Sequence, residues 1–243
     1  MRIGIVGLGL IGGSLALALR DRHEIVVADP AGTGPFDSVA TPAGLLPADL
    51  VIVATPLELV VPTLAALAPF AGSTVLLDVG SVKRDVARYA ATAPAGVRIV
   101  GGHPMAGSTG SGLAAARADL FVDRPFLLVP TARSDDAAMA LAGEIAREVG
   151  AVPTVLSAEV HDRAVAMLSG VPLLIARALA AAGADVADLA GPGFRDMTRL
   201  AATPKLLADA LLAGNTEEIR SALALFRAAL DAAEREVGST AEA

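Results

Sequence analysis

Apolar residues recur along this chain in two rhythms, and the rhythm changes near residue 156. Before that point, short runs rich in Val, Ile and Leu end in Gly, Pro or Asp, the mark of buried strands. The runs fall at 2–6, 24–28, 49–54, 74–78, 97–100 and 126–129, with a last one at 152–155. Between several of them the period lengthens to that of a helix. Such stretches cover 12–20, then 57–67, where Pro62 must start or kink the helix, and 135–149, closed by Gly150. Residues 30–47, rich in Gly, Pro and Thr, read as a loop with at most a short helix. Strands alternating with helices imply a parallel sheet covered on both faces. Beyond 156 the strand signals stop. Segments 157–182, 185–189, 195–201, 205–212 and 216–237 favour helix, with a frayed tail at 238–243. The expected plan is an α/β domain over 1–156 and an all-helical domain over 157–243.

Composition narrows this picture. Hydrophobic residues make up 54% of the 243 and aromatics 3%, so Ala, Leu and Val must carry the core, as suits helices packed on a buried sheet. A mean hydropathy of +0.61 raises the question of a membrane. The most apolar stretch, 164–182, is broken by Ser169, Gly170, Pro172 and Arg177, and is read as a buried helix at a subunit interface rather than a span. The chain has no cysteine, which excludes disulfides, thiolate metal sites and cysteine nucleophiles; no metal is called for. A net charge of −7 argues against nucleic acid as a partner. The first strand begins at residue 2, leaving no room for a leader, so the cytoplasm is the expected compartment.

The first strand runs into Gly7-Leu8-Gly9-Leu10-Ile11-Gly12, which opens the first helix. In a Rossmann-type doubly wound sheet, Gly7 permits the tight turn and Gly9 lets the backbone approach a pyrophosphate. Gly12 lets helix and strand pack closely, and the helix N-terminus meets the phosphates. An acidic residue should end the second strand, and Asp29 stands there, 22 positions after Gly7. Its carboxylate would accept ribose hydroxyls and repel a 2′-phosphate, which selects NAD over NADP. FAD is set aside because the chain lacks the continuation an FAD domain needs. Thr55-Pro56, after the third strand, would line the cofactor chiefly by backbone.

Two further segments carry chemistry. The fourth strand ends in Asp78-Val79-Gly80-Ser81-Val82-Lys83, where Ser81 could hydrogen-bond a reacting hydroxyl or the nicotinamide, cap the next helix, or do both through different atoms. Among three histidines, His23 lies in a polar connection and reads as solvated. His103 stands in Gly101-Gly102-His103-Pro104-Met105-Ala106-Gly107-Ser108, expected just past the fifth strand, at the edge where such sheets bind ligands. An alcohol dehydrogenase needs a group to take the hydroxyl proton as hydride leaves, and histidine has a suitable pKa.

These segments, in this order and spacing, resemble the prephenate/arogenate dehydrogenase family of tyrosine biosynthesis. The likeness continues in Ser111-Gly112, Leu120-Phe121, His161-Asp162 and Ser169-Gly170-Val171-Pro172, and ends with Gly193-Phe194-Arg195-Asp196-Met197-Thr198-Arg199-Leu200-Ala201. The resemblance implies oxidative decarboxylation of arogenate or prephenate. Hydride passes from ring C4 to NAD, the hydroxyl proton moves toward His103, and carbon dioxide leaves as the ring becomes aromatic. It also implies that Ser81 assists at the C4 hydroxyl and that Arg199 binds a substrate carboxylate, a bidentate job suited to guanidinium. Arg163, Arg195 and Lys205 are weaker candidates for that carboxylate and are read rather as solvated. His161 matches a family histidine, either at the chemistry or only orienting the helical domain. The family dimerises through that domain, so a homodimer is expected.

Two positions depart from prephenate-specific members, some of which carry glutamate where Thr109 stands and histidine where Leu173 follows Pro172. This favours arogenate. The chain ends soon after its last helix, so no separate regulatory domain is expected. Two other readings compete. A β-hydroxyacid dehydrogenase would use a lysine on the first long helix of the second domain, and 157–182 contains none. A non-catalytic NAD-binding protein would keep the glycine turn without needing His103, Ser81 and Arg199 together.

Overall fold

A strand that is buried on both faces must be apolar at every buried position; β4 (Leu50–Val53) meets that demand throughout, and β1 (Arg2–Val6) meets it after its partly exposed Arg2. Leu50 and Ile52 join one buried cluster, with Ile3, Ile5, Leu15 and Phe126. Val51 and Val53 point the other way, into a second cluster with Leu64, Leu76 and Ile99. Each such side chain contributes about 1.5–3 kcal/mol by leaving water.

The computed structural model describes residues 1–108 and 110–239. Its strands are completed by β2 (Glu24–Ala28), β3 (Asp37–Ser38), β5 (Val75–Asp78), β6 (Arg98–Pro104), β7 (Pro125–Pro130) and β8 (Val152–Val155). They form an eight-stranded sheet in the order β3-β2-β1-β4-β5-β6-β7-β8. Helices α1 (Leu10–Leu19), α2 (Leu57–Leu67), α3 (Arg84–Thr92) and α4 (Asp136–Glu148) link its strands. Pro62 lies inside α2 rather than at its start. Asp135 caps α4 by accepting the Ala138 N–H at 2.7 Å, and Gly150 closes it with φ +79°.

The doubly wound α/β architecture is as expected, with three differences. Strand β7 runs antiparallel to β6, and β8 is parallel to β7. A parallel pair needs a crossover helix, and the described residues of the 105–124 connection hold a single 3-10 turn, Leu113–Ala115. That connection folds over α1, where the Arg117 N–H donates to buried Ser14 Oγ at 3.0 Å. Second, the stretch read as loop with at most a short helix over 30–47 holds the short 3-10 turn that reading allowed, Pro42–Leu45, but also β3, two residues paired to β2. A strand that short leaves no periodic trace. Third, β6 runs past residue 100 through Gly101-Gly102-His103-Pro104, so His103 lies within the strand, opposite Leu127, and not beyond its end. The glycines and the proline hid the strand, because both residue types are poor strand formers.

The chain divides into two compact units, 1–161 and 162–243. In the first, α5 (Ala158–Val165) begins after β8; it continues through a π-turn (Ala166–Gly170) into α6 (Val171–Ala182). Residues Ala158–Ala182 make one helix long and apolar enough to cross a membrane by length and composition. The helical unit adds α7 (Pro192–Thr198), α8 (Lys205–Gly214) and α9 (Thr216–Ser239). Its core is small: Ala166, Val171, Ile219 and Ala222, flanked by Leu174, Ile175, Leu223 and Phe226. Leu168, Leu189, Leu206, Leu207 and Leu225 remain exposed. Gly238 and Ser239, expected to fray, belong to α9, while 240–243 lie outside the described residues.

Candidate active site

The C-terminal ends of β1, β2, β4, β5 and β6 lie along one edge of the sheet, and each brings residues of interest there. At β1 the chain turns through Gly7 with φ +91°, its N–H donating to Ala28 O at 3.0 Å. A side chain at Gly7 would place Cβ 2.6 Å from Ala54 O. Asp29, half-buried at the end of β2, braces this turn: Oδ2 accepts the Leu8 N–H at 2.5 Å and Oδ1 accepts the Ala31 N–H at 2.7 Å. Leu10 and Ile11 then enter α1 and pack on the core.

This turn fits a dinucleotide. A Cβ on Gly9 would meet nothing within 4 Å, so the space above the turn is open. Gly9 is the N-cap of α1 and no side chain caps that helix, which suits phosphate at its N-terminus. Thr55, after β4, has its Oγ1 buried with no hydrogen-bond partner among the described residues; such a hydroxyl needs an acceptor or donor from elsewhere. Pro56 takes the N-cap position of α2.

The end of β5 holds a feature that the residue pattern hides. Asp78 and Lys83 are both 0% exposed, and Lys83 Nζ pairs with Asp78 Oδ1. The Gly80 N–H also donates to Oδ1 at 2.9 Å. Burial pushes the Asp78 carboxyl up from its ordinary value, against the opposing pull of Lys83. A buried ion pair gives little net stability, because desolvation offsets the attraction. Its presence beside a ligand edge therefore points to chemistry. The glycines before His103 make room for it: a Cβ on Gly101 would lie 3.1 Å from Lys83 Cδ, and one on Gly102 2.7 Å from Asp78 O. Lys83, not Ser81, is the N-cap of α3, and no side chain caps it. Ser81 lies half-buried between β5 and α3.

His103, on β6, is half-buried. Its Nδ1 lies 3.0 Å from Nε2 of His161, which is 0% exposed. The ring centroids are 5.1 Å apart, tilted by 53°. Burial first, then His161 and Lys83, hold the His103 pKa well below the ordinary value. His103 is thus a neutral imidazole at neutral pH, able to accept a proton.

Glycine turn, Asp29, Thr55, Ser81 and His103 all gather on this edge. Arg199 lies in the helical unit, exposed, at the start of a 3-10 turn, Arg199–Ala202. Thr198 Oγ1 donates to Phe194 O at 2.7 Å just before it. Leu173 is buried in α6, and Thr109 lies outside the described residues. Arg163 and Arg195 are exposed, and Lys205, also exposed, pairs with Asp209. The reading of His23 as solvated fails. Its side chain is 8% exposed and its Nε2 lies 2.6 Å from Glu148 Oε2, because α4 packs beside the connection that looked polar in sequence.

Comparison with known proteins agrees across the chain. Residues 13–155 match the family described as prephenate dehydrogenase, nucleotide-binding domain, and 157–242 match prephenate dehydrogenase, dimerization domain. A prephenate dehydrogenase of Bacillus subtilis is 34% identical over 235 residues, 86% of this chain and 62% of the relative. The Synechocystis arogenate dehydrogenase structure is 30% identical with a TM-score of 0.83, covering 99% of this chain and 93% of that one. A prephenate dehydrogenase of A. aeolicus, in complex with hydroxyphenyl propionate and NAD+, is 26% identical with a TM-score of 0.90, covering 100% and 92%. The chain spans 52% and 62% of the lengths of its curated relatives from Streptomyces niveus and Bacillus subtilis.

Proposed function

The chain belongs to the prephenate dehydrogenase family, and from that premise we propose that it oxidatively decarboxylates arogenate or prephenate with NAD. The observation that carries the reading is His103, kept neutral by its surroundings on the sheet edge that also holds the glycine turn.

Gly7 to Gly12 and Asp29 would hold the dinucleotide, with Thr55 and Pro56 beside them. NAD, when bound, accepts the hydride from ring C4. His103 takes the C4 hydroxyl proton at Nε2, the nitrogen not engaged by His161. Loss of the carboxylate as carbon dioxide leaves its bonding electrons in the ring. His103 returns the proton to the same oxygen as the ring aromatises, so no proton need reach solvent. Ser81 would hydrogen-bond the hydroxyl and keep it in line for transfer. Arg199 would bind a substrate carboxylate, giving an acidic protein a local cationic anchor for an anionic ligand. Asp29 supports NAD over NADP, since its carboxylate repels a 2′-phosphate.

Arogenate is the preferred substrate in this proposal. An aliphatic Leu173 stands where some prephenate-specific members carry histidine, and a Synechocystis arogenate dehydrogenase is among the similar structures. The protein is proposed to act as a homodimer. Leu206, Leu207 and Leu225 of the helical unit are exposed, and a large exposed apolar surface marks an interface. Steady-state assay of NADH formation with each substrate and each cofactor tests the proposal.

A further inference from the structure

His161 is a fully buried histidine for which the proton transfers above have no use. It stands on α5, its N–H donating to Ser157 O at 2.9 Å, and its Nε2 meets His103 Nδ1 at 3.0 Å. Two proton arrangements share that separation. If His161 Nε2–H donates, the single proton of neutral His103 must sit on Nε2, and the base is blocked. If His161 Nε2 accepts, His103 carries its proton on Nδ1, and the Nε2 lone pair is available. The residues beside His103 are Gly102 and Pro104, which offer the ring no polar side chain, so its orientation must be set from another element.

We propose that His161 is a positioning residue: it accepts the Nδ1–H of neutral His103 and so fixes the tautomer that is competent as a base. The inference rests on the dehydrogenase reading for its purpose, but not for its geometry. His161 touches neither substrate nor cofactor in this role and acts through His103 alone. No bond other than the hydrogen bond is made, and the borrowed proton still returns from Nε2 to the product oxygen.

Two measurements test it. The first is the imidazole nitrogen pattern in long-range 1H–15N spectra of the folded protein at neutral pH. With three histidines in the chain, the His103 signals are assigned by their loss in His103→Asn. The expected pattern is a protonated Nδ1 and a bare Nε2; the reverse tautomer overturns the proposal. This reading needs no turnover, so it stands apart from failure of the enzyme assignment, which would appear as no NADH from either substrate. The second is a double-mutant cycle. His161→Phe fills the space but cannot accept, and should lower kcat about tenfold with KM and NAD affinity near wild type. His161→Gln, whose Oε1 can accept, should recover part of that loss. In a His103→Asn background, His161→Phe should cost nothing more. Additive losses, or a fully active His161→Phe, contradict the proposal.

Discussion

A side chain on Gly12 would come within 2.0 Å of the carbonyl oxygen of Gly7, whereas one on Gly9 would meet nothing within 4 Å. The two glycines therefore serve different ends: Gly12 allows α1 to pack on the turn, and Gly9 leaves room for a ligand. Gly12→Ala should destabilise the fold by more than about 3 kcal/mol. Gly9→Ala should melt within about 2 °C of wild type, yet bind NAD at least about tenfold more weakly. Thermal denaturation and NAD titration separate the two. Equal loss of stability in both variants would contradict the division.

Asp29 holds the Leu8 and Ala31 amides, and in the proposed function it also accepts the ribose hydroxyls. Asp29→Asn keeps an acceptor for one of the two turn amides and removes the charge. It should lower kcat/KM for NAD about tenfold and improve NADP relative to NAD. An unchanged cofactor ratio would reduce Asp29 to a brace for the turn.

His103→Asn should lower kcat by about 10²–10⁴-fold with NAD affinity unchanged. Near-full activity would remove the acid–base role.

The pH profile follows from the lowered pKa of His103. A base stays neutral until pH falls below its own pKa. The kcat/KM profile should thus stay flat through about 6.5, the ordinary histidine value, and fall only at lower pH. The same shift bears on stability. Below about 6.5 the unfolded chain binds a proton that folded His103 resists, so this contribution is lost as pH falls from there through the lowered value. Replacing the buried pair together, Asp78→Asn with Lys83→Met, removes one cause of the shift and should move the acid limb upward. Lys83→Met alone strands the Asp78 carboxyl and should cost about 3–5 kcal/mol by denaturant unfolding.

Much of this was legible in sequence, and the reasons for the rest are specific. The apolar runs revealed seven strands and the glycine turn marked the dinucleotide edge, because burial on both faces and close backbone approach leave compositional traces. The two-residue β3 and the antiparallel β7 leave none: one is too short for a period, and strand direction depends on how the chain returns. The Asp78–Lys83 pair was invisible because lysine is usually exposed, and a partner five positions away signals nothing about burial. His161 matched a family segment, but its contact with His103 spans 58 residues and only the fold brings them together.

The central claim is tested most directly by following NADH formation by the purified protein with arogenate and with prephenate, each with NAD and NADP. The account predicts NADH and carbon dioxide in equal amounts, faster with arogenate, and a kcat/KM for NAD at least about tenfold above that for NADP. Folded protein that binds NAD but oxidises neither substrate would contradict it.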